Sequence, residues 1–454
     1  MVPTAPTIPT SVRQWMTTDL AGLPAGVRRR AFAAGAAVLL AVALSTVAVY
    51  LFFGAHHGQY DLKIYYNTVR FWLDGNSIYD YAQPDQVNVT LGFTYPPIAA
   101  VLMAPMTLLP LGVVVAVTIS AIVVANTALS YLFLRERFRL PTAQLMFATT
   151  LVSAASFCLL PLGMNVGFGQ INIFLALLVA ADILVLGKRH NRWFGVGIGL
   201  AMAIKLTPGI FLLYLMLSKR WRALAVAVLT AAAAILLAAV VSFGDSVQYY
   251  SRLVWQSDRV GFLDTPMNQS INGFIARLMS PEAPSRGIWL ACSLLVAGVA
   301  VRRIRQAVLH GDAVAAITLT GLLGILVSPV SWIHHAVWVL PAGIMIGCYF
   351  RSARPIRIGP HAVPVSAFPD SAPPHRSVLR LHRTVPRAEF IRMMVLAVTG
   401  LFVWAVDTRL LFGLPETNFS SFGAIVEGSI QLIWMLAALL ILPIGGVAVT
   451  QRTR

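Results

Sequence analysis

Residues 33–53 read AAGAAVLLAVALSTVAVYLFF, 21 positions without a charge. About 20 apolar residues suffice to carry an α-helix across the hydrocarbon core of a bilayer. The stretch is too long for the core of a signal peptide, and no small-residue cleavage site follows it, so it is expected to be a retained first span. Similar Ala-, Leu-, Val- and Gly-rich blocks recur to the end of the chain. Their composition fits helices and not the alternating pattern of an outer-membrane barrel. The whole chain agrees: of 454 residues 58% are hydrophobic and 11% charged, with mean hydropathy +0.76. Soluble proteins carry about 25% charged residues. The expected fold class is therefore an all-α polytopic membrane protein.

The net charge of +17 does not indicate a nucleic-acid partner, because of where the charge falls. Lys and Arg gather at block ends, in Arg28–Arg30, Arg135–Arg139, Lys188–Arg192, Lys219–Arg222, Arg302–Arg305 and the stretch from Arg351 to Arg392. The positive-inside rule produces this pattern, and membrane lipids with anionic head groups are natural partners of such clusters. With the clusters placed in the cytoplasm, the chain traces out roughly ten to twelve membrane segments with both termini inside. The expected division is a tail (1–32), a membrane core (33–350), a basic cytoplasmic loop (351–392) and C-terminal membrane helices (393–454). Within the core, Ile98–Leu134 is too long for one span and is interrupted by Pro110 and Gly112. Thr142–Leu162, Ile171–Leu186, Ala223–Val241, Gly287–Val301, Ala313–Val327, Ala336–Phe350, Met393–Phe412 and Ala424–Val449 read as single crossings. Gly195–Leu217 begins and ends beside inside clusters and carries Lys205 and Pro208 at its middle. It reads as a broken hairpin, since irregular backbone at depth is tolerated where it lines a cavity.

This trace brings several polar segments to the same, outer, face. In Asp61–Asp74 apolar residues at 62, 65, 66, 69, 72 and 73 recur with helical period, with Lys63, Asn67, Arg70 and Asp74 on the other side. The segment reads as an amphipathic helix suited to the interface and stopped by Gly75. Asp61 heads it, as a helix cap stabilised by free amides or as a carboxylate facing both membrane and solvent. Thr94-Tyr-Pro-Pro97 enters the next block. In Asn165–Asn172 Gly167 and Gly169 permit a tight bend, and Gln170 and Asn172 suit sugar hydroxyls or a helix cap. Lys205 is an ionisable group at depth and hence a functional candidate, with a phosphate as its natural partner and snorkelling to the interface as the alternative. Asn268-Gln-Ser270 lies in an outer loop. Ser328–His335 ends a span with Trp332, His334 and His335. Adjacent helical residues diverge by about 100 degrees, so this His pair is a poor shared metal site. Asp182 is expected to pair with Lys188 or Arg189. Cys158, Cys292 and Cys348 read as small buried hydrophobes.

Taken in order, Asp61-Leu-x-x-Tyr65, Thr94–Pro97, Gly169–Asn172, Lys205–Pro208, Asn268–Ser270 and Ser328–His335 resemble glycosyltransferase family 87 of the GT-C superfamily. The resemblance covers residues from about 60 to 340; the N-terminal tail and the Arg351–Arg392 segment are not part of it. It implies a GT-C-type helical bundle and transfer of mannose from a polyprenyl-phosphate-sugar donor to a lipid-linked glycan acceptor such as a mannoside or lipoglycan. It further implies an α-(1→2) linkage formed with inversion at the extracytoplasmic face, without metal or other cofactor. On this sequence the family's outer-loop base corresponds to Asp61. Lys205, His334 or His335 would meet the donor phosphate, and Tyr65, Tyr95, Gln170, Asn172, Asn268, Gln269 and Trp332 the sugars. An arabinose donor is the alternative within the class, and a lipid or sugar transporter the alternative outside it. Transporters often carry an internal repeat and a midplane site, and neither is evident here.

Overall fold

Proline and glycine cut the apolar blocks into helices, and the cuts position the site. The computed structural model describes residues 57–445 apart from 86, 139, 190, 257, 356–382, 408–410 and 412, together with 44, 47, 48 and 51. Apart from those four positions, the expected first span lies outside the described residues, as do the N-terminal tail and the middle of the basic loop.

Helix α1 (Tyr60–Leu73) ends just before Gly75, whose φ of 94° is open to glycine. Its buried residues include Leu62, Tyr65, Tyr66 and Val69 of the expected stripe, and Leu73 at its end is exposed. A hairpin follows, β1 (Ala82–Asp85) antiparallel to β2 (Val89–Gly92), with Asp85 opposite Val89. Pro97 starts α2 (Pro97–Met103), which tightens into a 3-10 turn at Ala104–Leu108. Pro110 then separates it from α3 (Leu111–Arg137), the division expected from Pro110 and Gly112.

The next block departs from expectation. Thr142–Leu162 is not one straight helix but α4 (Thr142–Ser156) and α5 (Leu160–Phe168), bent by 73°. Pro161 in the first turn of α5 removes the amide that would continue α4. Helix α6 (Asn172–Ala181) runs into a π turn at Asp182–Leu186. The block is broken where expected, into α7 (Val196–Ile204), a 3-10 turn (Thr207–Ile210) and α8 (Phe211–Leu217). Pro208 would clash with the Ile204 carbonyl in a continuous helix, and α7 stops at that residue.

There follow α9 (Trp221–Val241), α10 (Phe243–Ser251), α11 (Ile271–Met279), α12 (Arg286–Leu309) and α13 (Ala313–Val327). Helix α12 runs past its expected end at Val301, because Arg302–Arg305 continue the helix. After α14 (Val339–Ser352), the strands β3 (Ala353–Pro355) and β4 (Arg383–Val385) pair in parallel. Then come α15 (Arg387–Ala405), α16 (Phe422–Glu427) and α17 (Ile430–Ile441). Within Ala424–Val449 the helix is thus broken at Gly428–Ser429. The two small sheets correct the all-α expectation, although helices dominate.

Among the described residues α3, α9, α12 and α15 are long and apolar enough to cross a membrane, and the bent α4–α5 pair makes a fifth candidate. Shorter apolar helices fill the space between them. Helix α13 has no charge and is buried on nearly every side, the mark of a central helix. Gly321 on it lies under the Trp338 indole, which a Cβ there would meet at 2.3 Å. Asp182, expected to pair with Lys188 or Arg189, instead accepts from the amides of Gly195 and Ile198 at 3.0 Å and caps α7. Lys188 pairs with Glu136. A smaller apolar core of Leu62, Tyr65, Val69, Ile78, Phe93, Tyr95 and Ala99 welds α1 and the hairpin to α2.

Candidate active site

Five segments far apart in sequence converge on one cavity of about 470 Å³. They are the start of α1, the Thr94–Pro96 linker, the α5–α6 bend, the break after α7 and the Ser328–His335 linker. Each is held there by local chemistry. The start of α1 is tied to α5 by Gln59, whose amide donates to Gly167 O at 2.9 Å and whose side chain donates to Val166 O at 2.7 Å. Gly169 closes α5 with φ 70°, and a Cβ there would lie 2.5 Å from that of Leu62. Only glycine allows this approach, and it brings Gln170 against Asp61.

The Asp61 carboxylate does not cap its own helix. It accepts from Gln170 Nε2 at 2.5 Å. Gln170 Oε1 accepts in turn from Tyr95 OH and from Asn172 Nδ2, both at 3.2 Å. Tyr65 and Tyr95 share a hydroxyl–hydroxyl bond of 2.9 Å. Lys205, at the extended residue that ends α7, donates to Asn172 Oδ1 at 2.8 Å and Tyr95 OH at 3.3 Å, and its Nζ lies 3.0 Å from His335 Nε2. A continuous run of polar contacts therefore joins Asp61 to Lys205 and His335. Burial pushes the Asp61 carboxyl from 3.8 up to about 6, against the opposing pull of the Gln170 bond and the Lys205 charge. Burial likewise raises the Tyr65 and Tyr95 hydroxyls, which stay protonated at neutral pH.

The two histidine rings lie 4.7 Å apart and nearly perpendicular. The backbone carbonyl of His334 accepts from Asn165 at 2.7 Å and Asn172 at 3.2 Å. Its ring leans on Phe168, and neither ring nitrogen has a hydrogen-bond partner among the described residues although the residue is only 5% exposed. Such a group in a cavity wall invites a polar ligand. Among the described residues no three His, Cys, Asp or Glu side chains gather as metal ligands.

Asp61, Tyr65, Tyr95, Gln170, Lys205, Trp332, His334 and His335 all line the cavity. Asn172 stands behind this wall and orients Gln170 and Lys205. Asn268 and Gln269, expected at the sugars, are 0% and 1% exposed and spent on the scaffold. Asn268 Oδ1 accepts from Ser331 N at 3.0 Å and Ser270 Oγ at 2.9 Å, and its Nδ2 donates to Leu263 O at 3.0 Å. Gln269 bonds Pro266 O, Gly428 O and Leu432 N. These two residues fix the strand-like pairing of Asn268 with Trp332 that presents the histidines. Asp85 and Asn88 of the hairpin, Arg259 and the exposed Glu416, none of them among the expected site residues, also line the cavity. Pro84-Asp85 with Asn88 is turn chemistry and was the available signal for the first two.

Glycosyltransferase family 87 matches residues 93–329 of the chain. A polyprenol-phosphate-mannose-dependent alpha-(1-2)-phosphatidylinositol mannoside mannosyltransferase of Mycobacterium tuberculosis is 37% identical over 325 residues, 68% of this chain and 75% of that one. A Mycolicibacterium smegmatis protein of the same description is 35% identical, covering 62% of this chain and 68% of its own. A phosphatidylinositol pentamannoside mannosyltransferase from that organism is 33% identical, with 59% and 65% covered. The crystal structure of ArnT from Cupriavidus metallidurans bound to undecaprenyl phosphate aligns with 89% of this chain and 76% of that chain at TM-score 0.35 and 13% identity. By the extent of the family match and the identity to these relatives, the chain is a membrane glycosyltransferase and belongs to glycosyltransferase family 87.

Proposed function

We propose that the protein transfers a mannosyl residue from polyprenyl-phosphate-mannose to a lipid-linked mannoside of the phosphatidylinositol mannoside or lipoglycan type, forming an α-(1→2) linkage at the extracytoplasmic face. The observation that carries the chemistry is one cavity walled by a half-buried carboxylate, Asp61, and a buried cation, Lys205, linked through Gln170 and Tyr95. The acceptor hydroxyl oxygen attacks the anomeric carbon on the face opposite the β-linked phosphate. The carbon–oxygen bond to the carrier breaks and its electron pair leaves with the phosphate. The hydroxyl proton passes to Asp61, so the product is the inverted, α-linked mannoside and free polyprenyl phosphate. Phosphate leaves without being protonated, so one carboxylate suffices, unlike the pair that glycoside hydrolysis requires. Lys205, with His334 and His335, meets the charge that collects on the departing phosphate. Tyr65, Tyr95, Gln170 and Trp332 shape the sugar site. The distribution of Lys and Arg supports the extracytoplasmic placement.

The test is incorporation of mannose from polyprenol-phosphate-mannose into a phosphatidylinositol mannoside mixture by the purified protein, with and without chelator. Chelator-insensitive incorporation is the expected result. Transfer from the arabinose carrier alone would replace the donor, and loss of activity in chelator would overturn the metal-free mechanism.

A further inference from the structure

The β1–β2 hairpin has no part in the mechanism above, yet its turn forms part of the cavity wall through Asp85 and Asn88. The turn is built around one oxygen of Asp85. Oδ1 accepts from Val87 N at 3.0 Å, Asn88 N at 2.7 Å and Asn88 Nδ2 at 2.8 Å. All three turn bonds fall on Oδ1, and the Tyr60 hydroxyl lies against the same carboxylate. The hairpin is fastened to the residue beside the base, since Tyr60 OH donates to Pro84 O at 2.9 Å and Gln83 Nε2 to Tyr60 O at 3.3 Å. It is also fastened to the aromatic wall. Asn88 Oδ1 accepts from Phe262 N at 2.7 Å, and Gly261 threads so tightly that a Cβ there would lie 2.9 Å from Asn88 Oδ1 and 3.2 Å from the Trp332 ring.

We propose that this hairpin reads the acceptor: Asp85, with the Trp332 indole that lines the same cavity, holds the neutral hexopyranoside whose hydroxyl is delivered to Asp61. The inference rests on the glycosyl-transfer reading above and names the half of the site that reading leaves open. Charge separates the two substrates. The bonded group of Lys205 and His335 suits the anionic carrier phosphate, whereas a second carboxylate repels phosphate and accepts from sugar hydroxyls. A sugar's C–H face packs on an indole, while its hydroxyls need a small number of fixed acceptors. The Tyr60 tether keeps the recognising carboxylate and the base in one assembly, so a sugar gripped by Asp85 presents its attacking hydroxyl in a fixed place.

Asp85→Asn tests this, because Asn retains Oδ1 for the turn and loses only the anionic acceptor. Full-length wild type and variant are assayed with polyprenol-phosphate-mannose and an alkyl α-mannoside, and then with its 3-, 4- and 6-deoxy analogues. The variant is expected to raise the acceptor KM about tenfold or more, the worth of a hydroxyl-to-carboxylate hydrogen bond, with the donor KM held within about twofold on the same scale. One deoxy analogue should be used equally well by both proteins, since substitution and deoxygenation then remove the same bond. Additive losses for all three analogues, or a shift in donor KM alone, would overturn the inference while leaving the glycosyl-transfer reading intact. Failure of the wild type to transfer mannose to any mannoside would refute that reading, and this inference with it.

Discussion

Replacing Asp61 by Asn preserves the size of the side chain and an oxygen that accepts from Gln170, and removes the basic carboxylate. A positioned general base contributes about 10²–10⁴ in rate, so turnover is expected to fall by that factor, or about 3–5 kcal/mol of transition-state stabilisation. The wild type should also report the carboxyl's own titration. Burial raises it from 3.8 to about 6, so the active carboxylate form falls from about nine-tenths at pH 7 to about one-tenth at pH 5. Activity therefore climbs through pH 6 and levels off above pH 7, whereas the Asn variant stays low and flat. Stability moves the other way. A carboxyl raised on folding makes the ionised group a burden on the native state that is absent below pH 3.8, grows toward pH 6 and is constant above it. Asn lifts that burden, by at most about 3 kcal/mol and less after solvent screening of a half-buried group. The variant should thus melt no lower than wild type at pH 7.5. Initial rates of mannose transfer across pH 5–8, with thermal melting of the same preparations, provide both readouts. A wild-type rate indifferent to pH over that range, or an Asn variant keeping more than about a tenth of turnover, would refute the base assignment. A variant that melts well below wild type would trace its lost activity to folding instead.

Gln170→Leu deletes the bond that holds the Asp61 carboxyl down, so the acid limb of the rate profile should move to higher pH and the rate at pH 6 fall more than the rate at pH 8. Asp182→Ala uncaps α7 by removing the acceptor for Gly195 and Ile198; melting should drop in line with about 0.5–2 kcal/mol, with donor and acceptor KM unchanged. Gly195→Ala should be worse, because φ is 111° and the new Cβ would sit 2.2 Å from the Ala223 carbonyl oxygen; a melting point within a degree of wild type would contradict the close packing of α7 on α9. Arg137→Met strands the buried carboxylate of Asp312, its partner at 2.8 Å, and should cost about 3–5 kcal/mol, which chemical unfolding in detergent would measure.

What the sequence disclosed followed from residues whose physics is local. Pro208 has to interrupt a helix, Lys205 has to find partners at depth, and Gly169 has to turn; each does so where expected. Charge at block ends likewise brought Asp61, Gln170 and the histidines toward one face before any contact was known, with Lys205 left at depth. Properties decided by distant neighbours were not readable. Nothing near Asn268 or Gln269 shows that their amides are consumed by Ser331, Gly428 and Leu432. Asp182 has Lys188 and Arg189 within reach in sequence, yet the free amides of α7 outcompete them. The hairpin escaped because its strands are four residues each and half exposed, too short for a period-two pattern to stand out. The bend between α4 and α5 did carry a signal in Pro161, but the block was uniformly apolar across it and read as one span.

The ammonium of Lys205 has three hydrogens; Tyr95 and Asn172 accept from it, and His335 Nε2 stands 3.0 Å away. On the function proposed above, a phosphate arriving here would enter by exchange, and its affinity would be the difference between an anionic acceptor and the neutral one it evicts. The cheapest contact to surrender is the longest, that to Tyr95 at 3.3 Å. The same hydroxyl leans on Gln170, which grips Asp61. Arrival of the carrier would then slacken the hold on the base at the moment the base is needed, and by reciprocity the state of the base would feed back on how tightly the carrier is held. On that reading the expected order of events is carrier first and acceptor second.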